Sequence, residues 1–156
     1  MYLIYGSKMN SIVAGTFDIL HDGHLALLDG AVKITGKDKL TVGITTTNML
    51  KRKQHLVNDF MKRLGGVYNY LNGKVNFTMI DIDEKVPPKA LEKDIECIVV
   101  STETYQGALW VNQMREENGL KPLYIFVVPV VIDHYGCRLS TTHIRQGLID
   151  IHGEKI

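Results

Sequence analysis

Five apolar runs rich in β-branched residues recur along the chain: "NSIVAG" (10–15), "KLTVGITT" (39–46), "KVNFTMI" (74–80), "IECIVV" (95–100) and "LYIFVVPVV" (123–131). Between most of them lie stretches with apolar residues at helical spacing. Such runs read as strands buried on both faces, and regular alternation with helices predicts a parallel α/β sheet covered on both sides. The predicted helices span Gly23 to Ile34, Asp59 to Leu71 with Phe60, Leu64, Tyr68 and Leu71 on one face, and Glu103 to Asn118, with a last one from Ser140. Gly119 and Pro122 mark the stop of the third, as a left-handed cap and a residue that cannot continue a helix. The charged stretch "DIDEKVPPKALEKD" (81–94), with Pro87 and Pro88 in tandem, reads as a long loop or a short irregular helix.

A chain of 156 residues, 45% of them hydrophobic and only four of them proline, fits one domain with one real core. Its formal charge of +1 gives no global field for a nucleic-acid backbone or a membrane surface, so a bound anion must be held by local groups. Cys97 and Cys137 lack the spacing of a metal knuckle or a disulfide framework, which suits a reducing, cytoplasmic setting. No stretch reads as a cleavable leader, and the longest apolar run, "IFVVPVVI", is far below membrane-spanning length.

In open α/β sheets ligands bind beyond the carboxyl ends of the strands, which directs attention to "GTFDILHDGH", "TTTNMLKRK" and "STET". In the first, Gly15 allows close approach of an oxyanion, and the following helix aims amides and its positive end into the same space. His21 and His24, three residues apart, face one anion from the strand-to-helix turn. Neutral imidazoles donate hydrogen bonds to phosphate oxygens, and protonated ones also bring charge. Thr16 is placed to orient a phosphate and Phe17 to wall a base. The plainer readings are a solvated histidine lip and N-capping by Asp18 or Asp22. Two histidines without a third ligand do not make a zinc site.

"GTFDILHDGH" resembles the first signature of the His-x-Gly-His nucleotidylyltransferases, and "RLSTTHIRQG" resembles their second. "IVVSTETYQGALWVNQMREENGLKPL" and "VGITTTNMLKRK" narrow the likeness to phosphopantetheine adenylyltransferases of the archaeal and eukaryotic type. The resemblance covers about residues 10–150 of a single domain, 1–156. It departs at Asp83 to Pro87, "DEKVP", where an Asp-Pro-aromatic-Gly-Pro motif is usual, and at Phe60, where a tyrosine commonly precedes the arginine matched by Arg63.

The resemblance implies a single Rossmann-like domain with a mostly parallel sheet, transferring AMP from ATP to 4′-phosphopantetheine in coenzyme A biosynthesis, with Mg²⁺ carried by ATP and no protein ligand assigned to it. The implied catalytic residues are His21, His24, Thr16, Lys53 and Arg145. The implied nucleotide contacts are Gly15, Thr16, Phe17, His24, Ser101, Glu103 and Thr104, with Ser140, Thr141 and Thr142 at the last helix. One of Lys51 and Lys53 would meet a phosphate, with Lys53 favoured. Asn112 and Arg115, continuing an apolar helix stripe, would form a pocket rim for the acceptor. In the plainer reading Ser140 to Thr142 are caps, and the lysines and helix polar residues are solvated surface. The rival functions are a cytidylyltransferase acting on glycerol 3-phosphate or a related phosphoalcohol, and a nucleotide-binding regulator without turnover. Class I aminoacyl-tRNA synthetases share the histidine signature, but this chain is too short for an anticodon-reading domain and lacks a basic groove.

Overall fold

The computed structural model describes residues 8–50 and 57–156. Five strands form one parallel sheet: β1 (Ser11–Gly15), β2 (Lys39–Thr45), β3 (Asn76–Ile82), β4 (Cys97–Ser101) and β5 (Tyr124–Val128), in the order β3-β2-β1-β4-β5. The helices are α1 (Asp22–Thr35), α2 (Thr47–Leu50), α3 (Phe60–Leu71), α4 (Tyr105–Glu117) and α5 (Thr141–Arg145). Each of the five apolar runs is a strand, and the alternation with helices holds. The short α2 was not anticipated, and the last helix is only five residues long.

Strand alternation decides which side chains meet which helices. Val13, Cys97 and Val99 join Leu40, Val42 and Ile44 in the larger core, with Leu27, Leu28 and Ala31 of α1 and Val67 and Leu71 of α3. Ile12 and Ile98 point the other way, to Val111 of α4 and to Val86, Ala90 and Ile95 of the 83–95 segment. That proline-bearing segment therefore roofs the second face, through a 3-10 turn at Pro88–Leu91 whose Ala90 is fully buried. Each fully buried Leu, Ile or Val contributes about 1.5–3 kcal/mol, so both faces are strongly held. Gly119, just past α4, has φ 69, the left-handed cap its sequence position implied.

Two arginines on helices are buried and tie the loops to the sheet. Arg63 of α3 donates to the carbonyls of Thr16 (2.9 Å), Thr45 (2.8 Å) and Asn58 (2.9 Å), joining the turns after β1 and β2. Arg115 of α4 donates to Ala90 (2.8 Å), Glu92 (2.9 Å) and Lys121 (2.7 Å), stapling the roof segment. Burial lowers the pKa of both guanidiniums; carbonyl dipoles compensate the charge of each, and the nearby Asp18 and Asp59 carboxylates also oppose the shift at Arg63. Nearby Asn112 exchanges two bonds with the Leu123 backbone, at 3.0 and 2.7 Å, and sets the start of β5. The expected pocket rim at Asn112 and Arg115 is thus corrected. Their polar atoms are committed to backbone groups, and neither residue lines the clefts below.

Candidate active site

The chain runs from β1 to β2 and β3 on one side and returns to β4 and β5 on the other, so the order of strands reverses between β1 and β4. Two clefts open there, beyond the strand ends. One, of about 340 Å³, is lined by Gly15, Thr16, Asp18, His21, His24, Ser101, Glu103, Thr104, Arg138 and Thr141, among others. The second, of about 280 Å³, has a mostly apolar wall of Ile12, Ile82, Pro87, Val99, Ala108 and Val111, with Thr45, Glu84 and Lys85 as polar members. Both are lined by Ala14, Gly15, Thr16 and Thr104, so they adjoin at the end of β1.

His21 is the N-cap of α1. Its Nδ1 accepts from the amides of Gly23 (3.1 Å) and His24 (3.4 Å), while the Asp22 amide donates to the Ile151 carbonyl at 3.0 Å. The expectation of free helix amides cradling a phosphate is therefore corrected: the first three are satisfied within the protein. What the helix end presents instead is an imidazole. Because Nδ1 accepts, the neutral ring carries its proton on Nε2, a donor polarised by the positive helix end. An added Cβ at Gly23 would lie 2.9 Å from His21 Cε1 and 3.0 Å from Nδ1, so a glycine is required where the ring folds over the backbone.

The His24 ring stacks on that of His21, with centroids 3.8 Å apart and planes 17° from parallel. Its Nδ1 is buried without a hydrogen-bond partner. Burial, then the neighbouring His24 and Arg138 charges, push His21 down to about 3. Burial and Arg138 push His24 down to about 4, against the opposing pull of the Ile19 carbonyl and Asp18. Both rings are neutral near pH 7, which selects the neutral donor over the charged one.

Thr16 reaches the Thr45 hydroxyl at 3.1 Å and gives its carbonyl to Arg63. Phe17 has φ 51 and is almost wholly buried, and its ring lies where a Cβ on Gly15 would be, 3.0 Å from the nearest atom. Core packing thus accounts for much of Phe17 and for the glycine at 15, while both residues still line the histidine cleft. The Thr104 hydroxyl accepts from the Ser101 amide at 3.1 Å and shapes the turn that carries Glu103. Ser140 caps α5 by accepting from the His143 amide at 3.3 Å; Thr141 lines the cleft and Thr142 does not. Lys51 and Lys53 lie outside the described residues.

Arg145 does not line the cleft. Its guanidinium grips the Asp18 carboxylate, with Nη2 at 3.0 and 3.1 Å from the two oxygens, and Asp18 is the residue that reaches the cleft wall. Asp18 also accepts from the Asn58 amide at 2.7 Å, so neither it nor Asp22 serves as the α1 cap. Gly23 and Arg138 are site and support residues that the reading of the sequence passed over, and Arg63, noted there only as matching a family arginine, proves to be a buried support. Gly23 stood inside the quoted histidine motif, and Arg138 is the first residue of the quoted second one.

The cytidylyltransferase-like family pattern matches residues 12–147. A phosphopantetheine adenylyltransferase of Pyrococcus furiosus is 40% identical over 149 residues, covering 93% of this chain and 92% of that protein. One from Methanosarcina acetivorans is 36% identical over 146 residues, with 91% and 92% covered. The chain belongs to the phosphopantetheine adenylyltransferase family. A crystal structure from Archaeoglobus fulgidus, of a protein described as of unknown function, aligns with TM-score 0.70 at 34% identity over 79% of this chain and all of that one. The fold alone is shared with a pantoate-beta-alanine ligase of Francisella tularensis, at TM-score 0.55 and 15% identity over 92% and 67% of the two chains. In this adenylyltransferase family member, the stacked histidines and the two adjoining clefts occupy the strand reversal where α/β sheets take ligands.

Proposed function

We propose that this chain transfers AMP from ATP to 4′-phosphopantetheine, releasing pyrophosphate and 3′-dephospho-coenzyme A. The observation that carries the reading is the meeting of a more polar, histidine-lined cleft with a mostly apolar one at Gly15, Thr16 and Thr104. The polar side suits a nucleoside triphosphate. The apolar side suits a long, weakly polar acceptor arm whose phosphate must reach the junction, and glycerol 3-phosphate has no such arm. The archaeal relatives' names favour the same acceptor over a phosphoalcohol.

In this reading the acceptor phosphate, largely dianionic at pH 7, attacks the α-phosphorus in line and expels pyrophosphate. No proton needs to be taken from the nucleophile and no covalent enzyme intermediate forms. The protein positions the two phosphates and stabilises the charge that builds on the α-phosphoryl oxygens. His21, through its outward Nε2–H, and His24 donate there. Mg²⁺ arrives on the triphosphate and neutralises part of its charge when bound. Among the described residues there is no grouping of three or more His, Cys, Asp or Glu side chains able to hold an ion.

The test is incubation with ATP or CTP, Mg²⁺ and a panel of phosphorylated acceptors, reading pyrophosphate and product mass. Faster turnover of CTP with glycerol 3-phosphate would overturn the acceptor and nucleotide together. Nucleotide binding without any turnover would favour the regulatory reading.

A further inference from the structure

Among the described residues, the cation lining the histidine cleft is Arg138, not Arg145. A short hairpin holds it in place. Arg138 pairs with Ile132 across the hairpin, and the next amide, of Leu139, donates to the Val131 carbonyl at 2.9 Å. The buried Asp133 carboxylate closes the turn, accepting from Tyr135 (2.8 Å) and Cys137 (3.0 Å), and its second oxygen lies 3.1 Å from His143 Nδ1 on α5.

From this support Arg138 reaches Glu103, with Nε 2.5 Å from Oε1. Glu103 belongs to the turn after β4, the strand next to β5, and lines the same cleft. The two side chains are 48% and 43% exposed, so their attraction is screened by water and the pair opens at little cost. Arg138 also depresses the protonation of both His21 and His24, which places its charge within electrostatic reach of the stacked rings.

We propose that Glu103 and Arg138 form a latch within the nucleotide cleft: the entering triphosphate displaces the Glu103 carboxylate and takes the Arg138 guanidinium as its own ligand. A triphosphate carries more charge than one carboxylate and offers paired oxygens that match the guanidinium fork. Glu103 therefore acts as an internal competitor that sets ATP affinity, rather than as a contact to the nucleotide. This rests on reading the histidine cleft as the ATP site.

The experiment is calorimetric titration of the full chain with ATP, on wild type, Glu103→Gln, Arg138→Ala and the double variant, beside turnover assays in which each substrate is varied in turn. Removing the competitor in Glu103→Gln should tighten ATP binding about two- to fivefold, the worth of an exposed ion pair. Arg138→Ala should weaken it roughly tenfold or more, as loss of a charge-assisted contact does. In the Arg138→Ala background, Glu103→Gln should restore no extra affinity beyond relief of a now unpaired carboxylate. The KM for the acceptor should stay put in all three.

Weaker ATP binding in Glu103→Gln, or unchanged binding in Arg138→Ala, overturns the latch. A wild type that binds no ATP overturns the latch and the nucleotide assignment together. A wild type that binds ATP without turning over phosphopantetheine overturns the acceptor assignment alone, and the calorimetry still decides the latch.

Discussion

His21 Nδ1 lies 3.1 Å from the Gly23 amide, and the space above Gly23 is filled by the His21 ring itself. A catalytic-side imidazole thus serves as the cap of its own helix, and the residue type at 23 determines whether it can. Gly23→Ala should gain up to about 1 kcal/mol of helix propensity and lose a comparable amount of capping. The melting temperature should barely move while kcat falls at least about tenfold, because the ring no longer points its Nε2–H into the cleft. Thermal melts with steady-state kinetics check this; a more stable variant with wild-type kcat would contradict it.

Acid should destabilise the protein through the stacked pair. His21 and His24 titrate near 3 and 4 when folded, below the ordinary 6.5, so the unfolded chain takes up protons first as pH falls. Their contribution is fully present above about pH 6.5 and is lost as pH drops toward 3, on the order of 2–3 kcal/mol for each ring by pH 4.5. His152, raised by Asp22, works in the opposite sense, its stabilisation present at low pH and lost as pH rises. A variant therefore isolates the effect: melting temperature against pH should fall less steeply in His24→Asn than in wild type. Parallel curves would contradict the depressed titrations.

Arg145 acts through Asp18. Replacing it with alanine leaves the Asp18 carboxylate, 7% exposed, without its ion-pair partner on the wall of the proposed ATP cleft. Arg145→Ala should raise the KM for ATP roughly tenfold, lysine should rescue only in part, and Asp18→Asn added to the alanine variant should recover much of the loss. A merely solvated arginine would shift stability by about half a kcal/mol or less and leave kinetics alone. A defect confined to the acceptor titration would place the pair on the wrong side of the cleft.

The strands, and the helices that cover them, were legible in the sequence because apolar runs and helical spacing are local signals. Val13 and Ile12 face opposite cores by strand alternation alone. The two histidines were legible too, since they share one turn. The buried, loop-tying roles of Arg63 and Arg115 were not. A helix arginine normally reads as surface, and what buries these two is a set of carbonyls brought from distant segments, such as Thr16 with Thr45 and Ala90 with Lys121. The capping role of His21 was hidden because histidine is not among the favoured N-cap residues. Pairings such as Asp18 with Arg145 and Glu103 with Arg138 exist only once the sheet has closed.

The account places adenylyl transfer at the stacked histidines, and His24→Ala tests this most directly. Single-turnover rates with ATP and 4′-phosphopantetheine, beside the ATP dissociation constant from calorimetry, separate chemistry from binding. The account predicts a folded variant whose rate falls on the order of a hundredfold or more while ATP affinity stays within about threefold, since the donor matters most when charge builds on the transferred phosphate. A wild-type rate in the folded variant would contradict it.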